Sequence, residues 1–250
     1  MVADRTGMLY VVGMGCGSAA GMTIEAAEAI RNSDLVIGYT VYTDLLRASY
    51  PEKEMRSTGM RQETDRVRMA LSEAAGGRTV SLICSGDATV YGMAALAFEL
   101  CEKMYADAPR IEVIPGVTAA LSGGALLGAP LTSDFTVISL SDLLTPAEKI
   151  EARLRAAAAG DFIIVLYNPS SKGRPQHLKH ACEILLESLP PERWCGYARQ
   201  IGRPGEESGI LTLGQLRDFQ ADMFTTVYIG SSDTKVIDGK LVTPRGYRDV

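Results

Sequence analysis

The sequence predicts an α/β protein of two domains, with a mostly parallel sheet in the first and a mixed sheet in the second. Three observations carry this. Apolar, β-rich runs alternate with helix-patterned segments through the first half, the rhythm of βαβ units. Glycine-bearing loops follow three of those runs: Val12-Gly13-Met14-Gly15-Cys16-Gly17, Ser85-Gly86-Asp87-Ala88-Thr89-Val90-Tyr91-Gly92 and Ile114-Pro115-Gly116-Val117-Thr118-Ala119-Ala120. The pattern then restarts near Leu140–Pro146 and ends in short strands joined by turns.

In chain order, Leu9–Val12 reads as a strand and Thr23–Arg31 as a helix capped by Thr23. Asp34–Ile37 is a short buried strand, Gln62–Ala74 a helix, Thr79–Cys84 a strand and Val90–Met104 a long helix. Ile111–Ile114 is a strand, Val117–Leu127 a helix of small residues, and Phe135–Ser139 a strand. Thr145-Pro146 opens a helix over Ala147–Ala158, with proline suited to the first turn. Phe162–Tyr167 is a central strand, and a helix runs from Pro175 to Glu187. Beyond Trp194–Ala198, short strands are expected at Ile210–Leu213, Thr225–Ile229, Lys235–Ile237 and Lys240–Thr243, with Asp238-Gly239 a hairpin signal. The domain boundary is expected near residue 140, giving domains 1–139 and 140–250.

Composition narrows the function classes. The chain has 250 residues, 46% hydrophobic and 22% charged, enough to bury a substantial core. A formal charge of −5 gives no support to general nucleic-acid binding. No apolar run approaches a membrane span, and the first residues lack a signal-type stretch, so the cytoplasm is the expected compartment. Five scattered cysteines without a CxxC pair argue against a disulfide framework or a metal cluster. His177 and His180, spaced i,i+3 beside lysines, read as a solvated helix face rather than a metal site.

Loops at the carboxyl ends of parallel strands are where open α/β sheets bind ligands. Glycine there lets backbone approach a ligand without an intervening Cβ. Three such loops on one edge point to a crevice that grips a cofactor through main-chain atoms. The spacing of glycines 13, 15 and 17 misses the dinucleotide fingerprint, and the second strand ends Val36-Ile37-Gly38-Tyr39 without the acid that would bind ribose. No Gly-Lys-Ser/Thr is present, so a Walker loop is absent as well. Asp87 reads either as a cap on the helix that follows or as a group in the site.

The ordered set Gly13-Met14-Gly15, Ser85-Gly86-Asp87 with Tyr91-Gly92-Met93, Ile114-Pro115-Gly116-Val117-Thr118-Ala119 and Tyr167-Asn168-Pro169 resembles the tetrapyrrole (class III) methyltransferases. Pro130–Phe135, Ile138–Pro146, Leu166–Ser171 and Thr243–Tyr247 are similar to the branch that methylates C17 of precorrin-3B or cobalt-precorrin-3. The chain departs from the usual family pattern at Cys16, Ser18, Ala88 and Ser133.

The resemblance implies S-adenosylmethionine as cofactor, bound in a cleft between the two domains. It implies a small-molecule tetrapyrrole substrate, C17 methylation with ring contraction in cobalamin biosynthesis, and a homodimer. Cofactor contacts carried over are Gly15, Ser85, Gly86, Asp87, Val90, Tyr91, Thr118 and Ala119. Tyr167, Asn168, Ala198, Ile210, Leu211 and Ile229 are placed around the adenine. Arg174, Arg199 and Arg245, with Lys172 in support, are candidates for the substrate's carboxylates, which guanidinium forks suit. Asp87, Asp134 and Asp142 are candidates for acid–base work because they sit in loops at strand ends. The rival readings are a sister methyltransferase acting at C11, C20 or C2/C7, the diphthine-forming enzyme, a tetrapyrrole carrier without turnover, and more distantly a NAD-linked dehydrogenase.

Overall fold

The computed structural model describes residues 7–17, 19–171 and 173–248, with the side chains of 105–107 excepted. Ser18 and Lys172, both singled out above, lie outside the described residues. The chain divides into two compact units, one ending at Thr118 and the other beginning at Ala119. The division falls earlier than residue 140 because Phe135–Ser139 pairs with Ile163–Tyr167 and so belongs to the second sheet.

The first unit comprises β1 (Met8–Gly13), α1 (Ile24–Asn32), β2 (Leu35–Tyr39), α2 (Thr40–Arg47), β3 (Met55–Thr58), α3 (Glu63–Ala75), β4 (Thr79–Cys84), α4 (Ala94–Cys101) and β5 (Arg110–Ile114). The strands form one sheet in the order β3-β2-β4-β1-β5, and every pairing is parallel. Alternating side chains therefore feed two cores. Leu9, Val11, Leu35, Ile37, Val80 and Leu82 pack with α3 and α4. Val12, Val36 and Ile83 pack with α1 and with Leu46 of α2. Thr23 caps α1 by accepting from the Ala26 amide at 3.0 Å, as its position foretold.

Two elements of this unit were hidden in the sequence. The stretch Thr40–Arg47 is rich in residues favoured in strands, yet it buries Thr43 and Leu46 on one helical face. Strand β3 is short and half-exposed, so it lacks an apolar run. The long helix expected from Val90 begins only at Ala94, because Tyr91 adopts a left-handed φ of 54° that a helix cannot contain.

The second unit comprises α5 (Ala119–Leu127), β6 (Gly128–Ala129), β7 (Phe135–Ser139), α6 (Ala147–Ala159), β8 (Ile163–Tyr167), α7 (His177–Leu186), β9 (Trp194–Arg199), β10 (Glu207–Thr212), α8 (Leu213–Leu216), β11 (Thr225–Ile229), β12 (Lys235–Ile237) and β13 (Lys240–Val242). Its larger sheet has the order β10-β9-β11-β8-β7, with only β7 and β8 parallel. A smaller sheet joins β12, β13 and β6. The expected contrast of a parallel and a mixed sheet is thus present.

One face of the larger sheet meets α6, α7 and α8 through Ile138, Ile164, Leu166, Leu178, Ile184 and Leu213. Helix α5 lies against β9, β10 and β11. At its amino end the Tyr167 hydroxyl accepts from the buried Ala120 amide at 2.7 Å, and the Tyr228 hydroxyl donates toward the Ala119 carbonyl at 2.8 Å. Tyr167→Phe would leave the Ala120 N–H without that acceptor. It is expected to cost about 1–3 kcal/mol, read as a lower denaturant midpoint at unchanged m.

Candidate functional site

In the first unit the three glycine loops meet at the carboxyl ends of β1, β4 and β5. Gly15 and Gly86 exchange backbone hydrogen bonds, Gly15 N to Gly86 O at 3.0 Å and Gly86 N to Gly15 O at 2.8 Å. A Cβ on Gly13 would sit 2.6 Å from the Gly116 nitrogen and 2.8 Å from the Gly86 carbonyl oxygen. A Cβ on Gly116 would collide with the carbonyl oxygens of Gly86 and Gly13. These glycines make room for one another. The sequence pattern suggested space for a ligand, and the geometry adds a prior requirement: the loops interlock through their main chains.

Asp87 ties the same knot. Its Oδ1 accepts from the Thr89 amide at 2.7 Å, the Thr89 hydroxyl at 2.5 Å and the Val90 amide at 3.2 Å. Its Oδ2 accepts from the Gly116 amide at 2.9 Å, joining the β4 loop to the β5 loop. Burial pushes the carboxyl's pKa up, but the hydrogen bonds from Thr89, Gly116 and Val90 together outweigh that and hold it below its ordinary value. An acid held ionised and saturated with donors is built to organise a loop. Cys16 joins the knot by donating to the Val117 carbonyl at 3.6 Å, and Thr23 donates to the Pro115 carbonyl at 3.2 Å.

Around this knot Ser85, Val90 and Thr118 are half-buried and Tyr91 is exposed. Tyr91 at φ 54° is a non-glycine residue in the left-handed region, a conformation that concentrates at functional sites. Arg66, invisible as a site residue in the sequence, is only 3% exposed and braces this edge. It donates to Thr58 Oγ1 and the Gly59 carbonyl, each at 2.8 Å, and to the Met93 sulfur at 3.5 Å. Burial lowers its pKa. On helix α3 it looks like any surface arginine, so periodicity alone gave no signal.

In the second unit the carboxyl ends of β7, β8 and β9 share one edge, which holds Ser139, Tyr167, Asn168, Arg174 and Arg199. Asn168 Nδ2 donates to Ser139 Oγ at 2.9 Å, and Asn168 also has a left-handed φ of 54°. Arg199 is clamped by Asp222 at 2.8 Å. Arg174 pairs with Asp142 at 3.2 Å, so a predicted substrate ligand and a predicted acid–base group engage each other. His177 is also drawn in: its Nδ1 donates to the Leu140 carbonyl at 2.9 Å, whereas His180 lies on the open helix face against Glu151.

Asp134 and Arg245 are elsewhere. Asp134 precedes β7 and so lies about 17 Å from the Asp142 end, the length of a five-residue strand. It lines an open depression with Ser133, Asp233, Lys235 and Arg245. Ala198 and Ile229 are fully buried within the sheet. Ile229 pairs with both Ile164 and Cys195, which commits its main chain to ladders on either side. Ile210 and Leu211 stand on edge strand β10, half-buried.

Among the described residues no cluster of three or more His, Cys, Asp or Glu side chains could hold a metal ion, and no disulfide forms. Burial raises the thiol of Cys84 to about 11 and that of Cys182 to about 12, so both are packing groups.

Residues 8–217 match the Tetrapyrrole (Corrin/Porphyrin) Methylases, and the chain belongs to that family. Among its relatives, the precorrin-3B C(17)-methyltransferase of a Sinorhizobium species is 43% identical, the match covering 97% of this chain and 98% of that one. The probable cobalt-factor III C(17)-methyltransferase of Salmonella typhimurium strain LT2 is 45% identical, over 96% of this chain and 99% of that one. The crystal structure of the methyltransferase CobJ superposes with a TM-score of 0.88 at 38% identity, covering 95% of this chain and all of that one.

Proposed function

We propose that the protein transfers a methyl group from S-adenosylmethionine to C17 of cobalt-factor III or precorrin-3B, with ring contraction, in cobalamin biosynthesis. The observation that carries this is likeness over nearly the whole chain to relatives named for that reaction. The donor set of the knot fits the cofactor. Ser85 and Thr118 bring hydroxyls and the neighbouring turns bring amides, which suit a ribose and an amino-acid moiety. No basic side chain is present in Ser85–Gly92 or Pro115–Ala120 to serve a phosphate.

When bound, the cofactor supplies an activated methyl group on a sulfonium, so the protein's work is chiefly positioning and exclusion of water. Gly15, Ser85, Gly86, Val90, Tyr91 and Thr118 hold and orient it, on a loop made rigid by Asp87. On the second unit, Ala119, Tyr167 and Asn168 are assigned to the cofactor by family likeness. Ile210 and Leu211 offer edge-strand backbone, and Ala198 and Ile229 belong to the buried part of the same sheet. Arg174 and Arg199 read carboxylates of the tetrapyrrole. Arg245, with Lys235, meets an outlying carboxylate arm, and Asp134 stands beside that contact. The proposal includes a homodimer in the cytoplasm. No helix among the described residues is long and apolar enough to cross a membrane.

Purified protein supplied with methyl-labelled donor and cobalt-factor III or precorrin-3B is expected to yield a product carrying one added methyl, placed at C17 by NMR. Label at C11 or C20 would move the protein to a sister reaction. Pigment binding without donor consumption would make it a carrier.

A further inference from the structure

The loop from Leu140 to Pro146 is pinned at its base and bare at its tip. At the base, the Leu140 amide donates to the Tyr167 carbonyl at 2.9 Å, and the Leu140 carbonyl accepts from His177. Arg174 Nη1 donates to Ser141 Oγ at 2.8 Å and to Asp142 Oδ1 at 3.2 Å, while its Nε donates to Ser171 Oγ at 3.3 Å. His177 Nε2 faces Asp142 Oδ2 at 3.7 Å. At the tip, Leu143 is 58% exposed and Leu144 98% exposed. A loose loop could fold two adjacent leucines back onto the protein; this one is held so that they stay presented.

We propose that Leu143 and Leu144 form an apolar platform for one face of the tetrapyrrole, and that Asp142 is a positioning residue that fixes this loop and Arg174 beside it. The proposal rests on the methyltransferase reading above. Two features favour a carboxylate-rimmed macrocycle as the occupant. The platform stands at the carboxyl end of the parallel pair β7 and β8, the edge where open sheets take their ligands. Beside it, Arg174 is oriented by Ser141, Asp142 and Ser171 through Nε and Nη1. Among the described residues its Nη2 has no acceptor, which leaves one donor of the fixed guanidinium available to a carboxylate. Apolar area next to a fixed guanidinium complements a flat ring with acidic arms.

The test uses the full chain and varies donor and tetrapyrrole separately. Leu144→Ser is expected to raise the tetrapyrrole KM roughly tenfold, the scale of one leucine's burial, with the donor KM and melting temperature unchanged. Asp142→Asn is expected to raise the same KM several-fold and to leave kcat within about threefold, with the pH profile intact. A titration of pigment followed by absorbance gives the Leu144→Ser affinity loss even without turnover. Failure of wild-type turnover would therefore sink the reaction assigned above while still deciding this point. Wild-type pigment affinity in Leu144→Ser would overturn the platform. A hundredfold fall in kcat for Asp142→Asn, with one limb of the pH profile lost, would make Asp142 an acid–base group instead. A change of sedimentation coefficient in Leu144→Ser would assign the leucines to contact with a second copy of the chain.

Discussion

Gly116→Ala is expected to lower the melting temperature by roughly 6–12 °C, taking an overpacking cost of about 3 kcal/mol and 2–4 °C per kcal/mol for a chain of this size. The added methyl would land on the carbonyl oxygens of Gly86 and Gly13. Neither is the end of a flexible side chain; each is main chain in a neighbouring turn that is itself hydrogen-bonded. Relief therefore requires two loops to move apart, which breaks the Gly15–Gly86 bridge and displaces Ser85 and Thr118. Binding of S-adenosylhomocysteine, followed by calorimetry, should weaken in step. Gly21→Ala is the control, since its Cβ would meet nothing within 4 Å; it should stay within about 0.5 kcal/mol of wild type. Equal melting temperatures for the two variants would show that the loops are not interlocked.

Asp87→Asn is expected to cost about 1–3 kcal/mol at pH 7, because an amide cannot accept on both oxygens' former sites. One of the Thr89, Val90 or Gly116 donors would then face an N–H. The folded-state pKa of Asp87 lies below its ordinary value of 3.8, so the carboxylate's contribution is complete above that value. It is lost as pH falls through the folded-state pKa. The stability gap between wild type and variant should therefore be constant from pH 7 down to about 4 and shrink below it. Chemical denaturation across that range measures it. A variant as stable as wild type at pH 7 but slow in turnover would instead mark Asp87 as an acid–base group.

The architecture was largely legible because its signals are periodic and local. Apolar runs such as Val80–Cys84 sit in a fully parallel sheet that buries both faces. Helix α2 escaped because Thr40, Val41 and Tyr42 carry strand propensity, and only tertiary packing of Leu46 settles their state. The site was legible as loops but not as roles. Gly13 and Gly116 were conspicuous, yet they meet each other and Gly86 across separations of 30 to 103 positions, a pairing that no spacing rule can reveal. The Asp142–Arg174 pair was hidden for the same reason: the sequence offers a carboxylate and a guanidinium, and only the fold makes them spend their charge on each other. Asp134 and Asp142 look equivalent on paper as strand-end acids, though one precedes β7 and the other follows it.

The place of β1 between β4 and β5 in its sheet has a cost during synthesis. Its partners on either side are β4 and β5, so the unit's first strand is flanked on both sides only once the unit's last strand has been made. At ordinary translation rates the intervening stretch takes about 5–20 s to emerge from the ribosome. Until then Leu9, Val11 and Val12 lack their strand neighbour on the β5 side, even where β4 has already paired. The unit's β1 edge facing β5 therefore stays open until late in its synthesis, the kind of unpaired strand edge that makes partly made domains prone to aggregation.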